Sequence, residues 1–165
     1  MHLLFIGILL FDFGFAKIFH GIGMEMTNNG TGVYYKPGIP LSSNSQVIGD
    51  IGLQFDTNIQ SNSLFVVEER NQSVFLNLSA GYRRELLQEM IAGIFRPVVI
   101  FQGGGLADIY SFSGQDITGN WIILYGTGAG FQFYNGRNLN EILLKVNRNT
   151  SRESNIAFQI SIYWR

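Results

Sequence analysis

The sequence has 165 residues, of which 46% are hydrophobic and 14% aromatic, with 20 glycines. Its 11 basic and 12 acidic residues leave a formal net charge of −1, which argues against a polyanionic partner such as nucleic acid. Cysteine is absent, which excludes a disulfide framework and any thiolate metal site, and the length supports one domain tilted by its composition toward β structure.

Residues 1–16 open the chain with an apolar run from Leu3 to Phe15, interrupted by Asp12 and ending in Gly14-Phe15-Ala16 before Lys17. Small residues at the −3 and −1 positions fit a secretory signal peptide, and the run is too short for a membrane-spanning helix. The expected division is therefore a signal peptide at 1–16 and one domain at 17–165. A buried first element is the competing reading.

From there the dominant pattern is alternation with period 2, the mark of strands whose successive side chains face opposite ways. In 17–27, Ile18, His20, Ile22, Met24 and Met26 oppose Phe19, Gly21, Gly23 and Glu25. Residues 28–45, rich in Gly, Asn, Ser and Pro, read as a long outer loop presenting Tyr34 and Tyr35 to an external partner. In 46–56, Val47, Gly49, Ile51, Leu53 and Phe55 oppose Gln46, Ile48, Asp50, Gly52, Gln54 and Asp56. A short turn at 57–61, a weaker strand at 62–68 and a turn near 69–71 follow. In 74–83, Val74, Leu76, Leu78, Ala80 and Tyr82 oppose Phe75, Asn77, Ser79, Gly81 and Arg83.

Residues 84–95 depart from the pattern. Leu86, Leu87, Met90, Ile91, Ile94 and Phe95 recur at helical spacing opposite Arg84, Glu85, Gln88 and Glu89. A short amphipathic helix at the membrane interface and a helical turn or strand extension at the barrel base are equally weighted. Strand 97–108 and a long loop at 109–119 come next. In 121–134, Trp121, Ile123, Tyr125, Thr127, Ala129, Phe131 and Phe133 oppose Gly126, Gly128, Gly130 and Gln132. The Asn135-Gly136 step signals a tight hairpin. Strand 139–147 has no clear face. In 155–165, Ile156, Phe158, Ile160, Ile162 and Trp164 oppose Ala157, Gln159, Ser161, Tyr163 and Arg165.

Glycine, glutamine and charge thus share one parity while large apolar side chains share the other. A small lipid-facing barrel needs this arrangement, with the crowded interior taking the small and polar residues. The expected fold is all-β, a closed antiparallel up-and-down transmembrane barrel of about eight strands.

With its alternating strands at 46–56, 121–134 and 155–165 and its aromatic chain end Tyr163-Trp164, the chain resembles the small outer-membrane β-barrel proteins of Gram-negative bacteria, of the porin-like superfamily. The resemblance covers most of 17–165. It implies an outer-membrane location, contact with outer-membrane lipid and insertion by the barrel-assembly machinery. Such proteins commonly end on an aromatic residue, whereas Arg165 follows Trp164 here.

Candidate chemistry is sparse. Outside the leader the single histidine is His20, on the oily parity, where a place near the lipid headgroup boundary outweighs a general base. One histidine makes no cluster, so no metal or cofactor is expected. Gly103-Gly104-Gly105 and the glycines of 126–130 lack the spacing of a phosphate loop and read as close packing inside a barrel. The inward charges Glu25, Asp50, Asp56, Arg83, Asp108 and Arg165, with Arg96 near a strand start, are expected to form an interior polar network, because an unpaired enclosed charge is costly. Static packing is favoured over a narrow water pathway.

Three functions remain open. A non-enzymatic barrel with a structural or loop-mediated role leads. A lipid-modifying enzyme centred on His20, and a soluble lipocalin-like barrel with the oily parity inside, are the alternatives.

Overall fold

The structure, a computed structural model, describes residues 18–28, 30–61, 68–87, 89–111, 121–149 and 154–164, without the side chains of 57–61, 68–72, 108, 110, 111 and 149. Among the described residues nine strands run in chain order: β1 His20–Thr27, β2 Gly30–Tyr35, β3 Gly38–Ser42, β4 Ser45–Ser61, β5 Glu68–Glu85, β6 Phe95–Ser111, β7 Trp121–Asn135, β8 Asn138–Asn149 and β9 Ser154–Trp164. All pairings are antiparallel, and β1 pairs with both β2 and β9 while β2 also pairs with β4, so the sheet closes on itself. Within the closed wall every described strand is paired on both sides, and the β4–β5 ribbon runs on past its neighbours at 57–61 and 68–72.

Strands β2 and β3 both pair with β4 and form two halves of one wall position, giving an eight-stranded barrel with one interruption. The break falls at Lys36-Pro37, where proline has no N–H to give the ladder. The backbone is stitched across it: Lys36 N donates to Gly21 O at 2.8 Å and Gly49 N donates to Pro37 O at 2.8 Å. Gly49 lies among large residues on the oily face of β4, and a Cβ there would stand 3.2 Å from Pro37 Cγ, so the glycine makes room for the ring.

Parity decides burial throughout. Ile22, Met24, Met26, Ile51, Phe55, Leu144, Ile156 and Ile160 are exposed on the outer wall, while Glu25, Asp50, Gln54, Arg83, Gln132, Glu141, Lys145 and Gln159 are buried. A small apolar core of Phe19, Ile48, Val98, Ile100, Leu143 and Tyr163 fills part of the lumen. The exposed outward rings include Trp164 near the end at which β1 begins and β9 ends and Trp121 near the other, the two levels at which membrane barrels place aromatic girdles. With the oily parity outside, the lipocalin-like alternative is overturned.

Several local expectations are corrected. Residues 28–45 are not a long loop: β2 and β3 occupy most of them, and Tyr34 and Tyr35 sit in the wall. The expected turns at 57–61 and 69–71 lie inside β4 and β5, which pair without interruption from Ser45↔Arg84 to Ser61↔Glu68. Of the expected strand at 62–68, residues 62–67 lie outside the described residues, as do the leader at 1–16 and the 112–119 part of the expected loop at 109–119, whose first three residues end β6. The 84–95 segment holds no helix among its described residues. Arg84 and Glu85 end β5, Phe95 opens β6, and the connection finishes in a tight turn in which Ile91 N donates to Phe95 O at 2.8 Å, with positive φ at Ala92 and Gly93. Two successive left-handed residues cannot continue a right-handed helix.

Candidate functional site

Inward parity carries side chains from opposite walls into one lumen, and their charges find partners there. Lys36 Nζ lies 2.5 Å from Asp50 Oδ1 and donates to Gln159 Oε1 at 3.2 Å. Gln159 Nε2 donates to Glu25 Oε2 at 3.4 Å, and that oxygen lies 2.5 Å from Lys145 Nζ. Lys145 Nζ in turn donates to Gln102 Oε1 at 3.1 Å, and Gln102 Nε2 donates to Asp50 Oδ2 at 2.6 Å. The contacts close into a ring of six side chains from six wall positions, with cations and anions alternating across the glutamines. Ser79 joins it from β5 by accepting from Gln102 at 2.5 Å.

Glycines make the ring fit. A Cβ on Gly23 would stand 2.8 Å from Lys36 Cδ, and one on Gly128 would stand 2.7 Å from Lys145 Cγ. Each lysine stem therefore lies along a glycine of a neighbouring strand, leaving its ammonium at the centre.

Nearer the termini a second cluster surrounds Arg83. Its Nη1 donates to Glu141 Oε2 at 2.8 Å, and Gln132 and Tyr163 each donate to Glu141 at 2.9 Å. Its Nη2 donates to Gln46, and the guanidinium lies 4.6 Å from the Tyr163 ring centroid and 5.3 Å from that of Phe19. Gln46 also donates to Glu85 at 3.4 Å, which pairs with Arg96. Below this cluster, at the mouth, lies a cavity of about 170 Å³ lined by Phe19, Gln46, Tyr134, Arg137, Tyr163 and Trp164, among others.

The residues expected from sequence are distributed as follows. Glu25 and Asp50 enter the ring and Arg83 anchors the second cluster. Asp56 is half-buried toward the far end, accepting from Gln54 at 2.9 Å, and belongs to neither cluster. Asp108 is placed only by its backbone, opposite Phe75, and Arg165 lies outside the described residues. Tyr34 is no loop contact: it is buried inside the barrel, its ring lying over Gly32. Tyr35 faces outward from the wall, its hydroxyl 2.5 Å from Nδ1 of His20 with the two rings stacked.

Sequence reasoning missed Lys36, Gln102, Glu141, Lys145 and Gln159 as members of the network. Glu141 and Lys145 had a signal, since they alternate with Ile142, Leu144 and Val146, which marks their parity as inward. Lys36 had none, because Pro37 and the surrounding glycines disguise its strand.

No family model matches the chain, and no curated protein matches it in sequence. Its shape does find relatives. Neisserial surface protein A (NspA) aligns over 88% of this chain and 92% of its own, at 8% identity and a TM-score of 0.55. The N-terminal β-barrel domain of Pseudomonas aeruginosa OprF aligns over 89% of this chain and 96% of its own, at 12% identity and a TM-score of 0.53.

The fold is that of a small outer-membrane β-barrel. At such low identities the likeness is one of fold, and the outer-membrane location expected from the sequence agrees with it and with the apolar outer wall.

Proposed function

We propose that this barrel is a closed scaffold of the outer membrane, holding the loops at its far end for a structural or binding role, and neither conducts nor catalyses. The six-membered ring of Lys36, Asp50, Gln102, Lys145, Glu25 and Gln159 carries the reading. An eight-stranded barrel has room inside for little beyond its own side chains, and here those side chains bond to one another across the lumen. The Arg83 cluster and the apolar core stand as a second layer behind the ring.

Charge balance supports the same role. In the two clusters Lys36, Lys145, Arg83 and Arg96 face Asp50, Glu25, Glu141 and Glu85, so every described lumen cation has an anion in contact. A pore selective for one sign of ion would instead leave a surplus along its lining. Insertion by the barrel-assembly machinery and contact with outer-membrane lipid belong to this reading.

Planar-bilayer recording tests it. The refolded full chain is expected to give a heat-modifiable band on gels and no stepwise current. Steady, reproducible conductance steps from the same preparation would overturn the closed scaffold.

A further inference from the structure

We infer that the outer wall at β1, β2 and β9 holds one glycerophospholipid of the leaflet at the termini end, with its phosphate against His20 and Trp164 and an acyl chain in the adjoining groove. This rests on the membrane reading above and adds a specific site to it.

The groove has a volume of about 320 Å³ and is lined by Ile22, Met24, Met26, Val33, Phe158 and Ile160, with Gly23 and Ile162 completing it. It arises from register. Met24 stands between Val33 and Ile160, and Ile22 between Tyr35 and Ile162, so three strands present one continuous apolar trough. The methionines supply flexible, adaptable walls. Because the trough belongs to the lipid-facing wall, an acyl chain is the occupant that the surrounding medium offers.

The end of the trough at Met26 meets only the hydroxyl of Thr31, whereas the other end meets an imidazole, a phenol and an indole. His20 is the next outward residue of β1 after Ile22, about 7 Å along the strand, and lies opposite Trp164. The Tyr35 hydroxyl and His20 Nδ1 satisfy each other at 2.5 Å. The site uses the tautomer in which tyrosine donates to Nδ1 and the imidazole N–H is on Nε2; Trp164, the register partner of His20 on β9, brings an indole N–H to the same wall position. No acidic side chain occupies the outward parity of β1, β2 or β9, so nothing there repels an anion. Exposed tryptophan marks the headgroup level in membrane barrels, the level at which a phosphate arrives.

The leaflet follows from topology. The start of β1, the end of β9 and the tight turns at 43–44 and 136–137 share this end, against one equally short step, Thr27 to Gly30, opposite, and short turns belong to the periplasmic side. The phosphate source is therefore a glycerophospholipid of the inner leaflet.

Native mass spectrometry of the full detergent-refolded barrel with dioleoylphosphatidylglycerol, and separately with dioleoylglycerol, tests the site. The wild type should retain one phospholipid and prefer it over the phosphate-free lipid by about five-fold, the scale of one favourable headgroup contact. His20→Leu with Tyr35→Phe should abolish that preference while leaving heat-modifiability intact, and Val33→Trp, which fills the trough, should weaken retention of both lipids. Equal retention of the two lipids by the wild type, or a preference that survives the double substitution, would overturn the site. Should the double variant fail to refold, the Val33→Trp arm decides, and unchanged retention there overturns it. A wild type that stays dispersed without detergent would defeat the membrane reading itself, which is seen before any lipid is added.

Discussion

Replacing Glu141 with alanine removes the carboxylate that three buried groups share. Arg83 is 1% exposed and would lose the carboxylate it touches, keeping Gln46, the faces of Tyr163 and Phe19, and the more distant Glu85. Gln132 and Tyr163 would each lose the acceptor they reach at 2.9 Å. Breaking one side of a buried pair costs about 3–5 kcal/mol, and the two orphaned donors push the loss toward the upper end. The companion variant, Arg83→Met with Glu141→Leu, removes both charges and refills the space. It should be more stable than Glu141→Ala by about 2 kcal/mol or more, since a well-packed apolar replacement of an ion pair is often nearly neutral. Urea unfolding in phosphatidylcholine vesicles, followed by tryptophan emission, gives both numbers. If the double variant loses as much as Glu141→Ala, the argument that Glu141 matters by compensating an enclosed guanidinium is wrong.

Further outcomes follow from the same geometry. Leu144→Arg, on the outer wall in mid-strand, should destabilise the barrel in vesicles by about 2–4 kcal/mol, measured by the same unfolding assay; a neutral effect would mean that this face does not meet lipid. Gly38→Val should cost about 1–3 kcal/mol by overpacking, because the Phe19 ring lies on Gly38 and would be driven toward Arg83. Thermal unfolding of that variant should show the loss, and Phe19→Ala in the same background should relieve part of it. Tyr35→Phe, which removes the partner of His20 on the outer wall, should leave folding within about 0.5 kcal/mol of wild type, as surface changes do, when read by urea unfolding.

The strands whose two faces differ most in polarity were legible from sequence. In 46–56, 74–83, 121–134 and 155–164 the expected inner face is the observed one, because a period-2 pattern in a closed barrel has one way to face. The strand count of about eight also agrees, yet its membership does not. The wall position formed by β2 and β3 was hidden by glycines and by Lys36-Pro37, which in a soluble chain would read as loop. Those glycines answer to packing: Tyr34 lies over Gly32 and Phe19 over Gly38. Lys36 is buried because Asp50, its neighbour on β4, waits for it, and a pairing set by strand register leaves no local trace.

The 84–95 segment misled for another reason. Its apolar residues crowd a β5–β6 connection in which Leu86, Leu87, Ile91 and Ile94 are exposed, so their spacing reports a loop rather than a buried helical face. Of the polar network, the acidic members Glu25 and Asp50 and the basic Arg83 were readable by parity. Their partners depended on register between strands far apart in sequence, as with Gln159 and Lys36.

The central claim is that the oily parity faces lipid. The chain's two tryptophans, Trp121 and Trp164, both lie on that parity, one near each end. Emission from the barrel refolded into vesicles carrying bromine at defined acyl positions therefore reads the wall directly. Strong quenching, deepest for bromines near the headgroup and weaker toward the chain ends, is the predicted result. Emission unaffected by bromine at any depth, with full quenching by aqueous acrylamide, would contradict it.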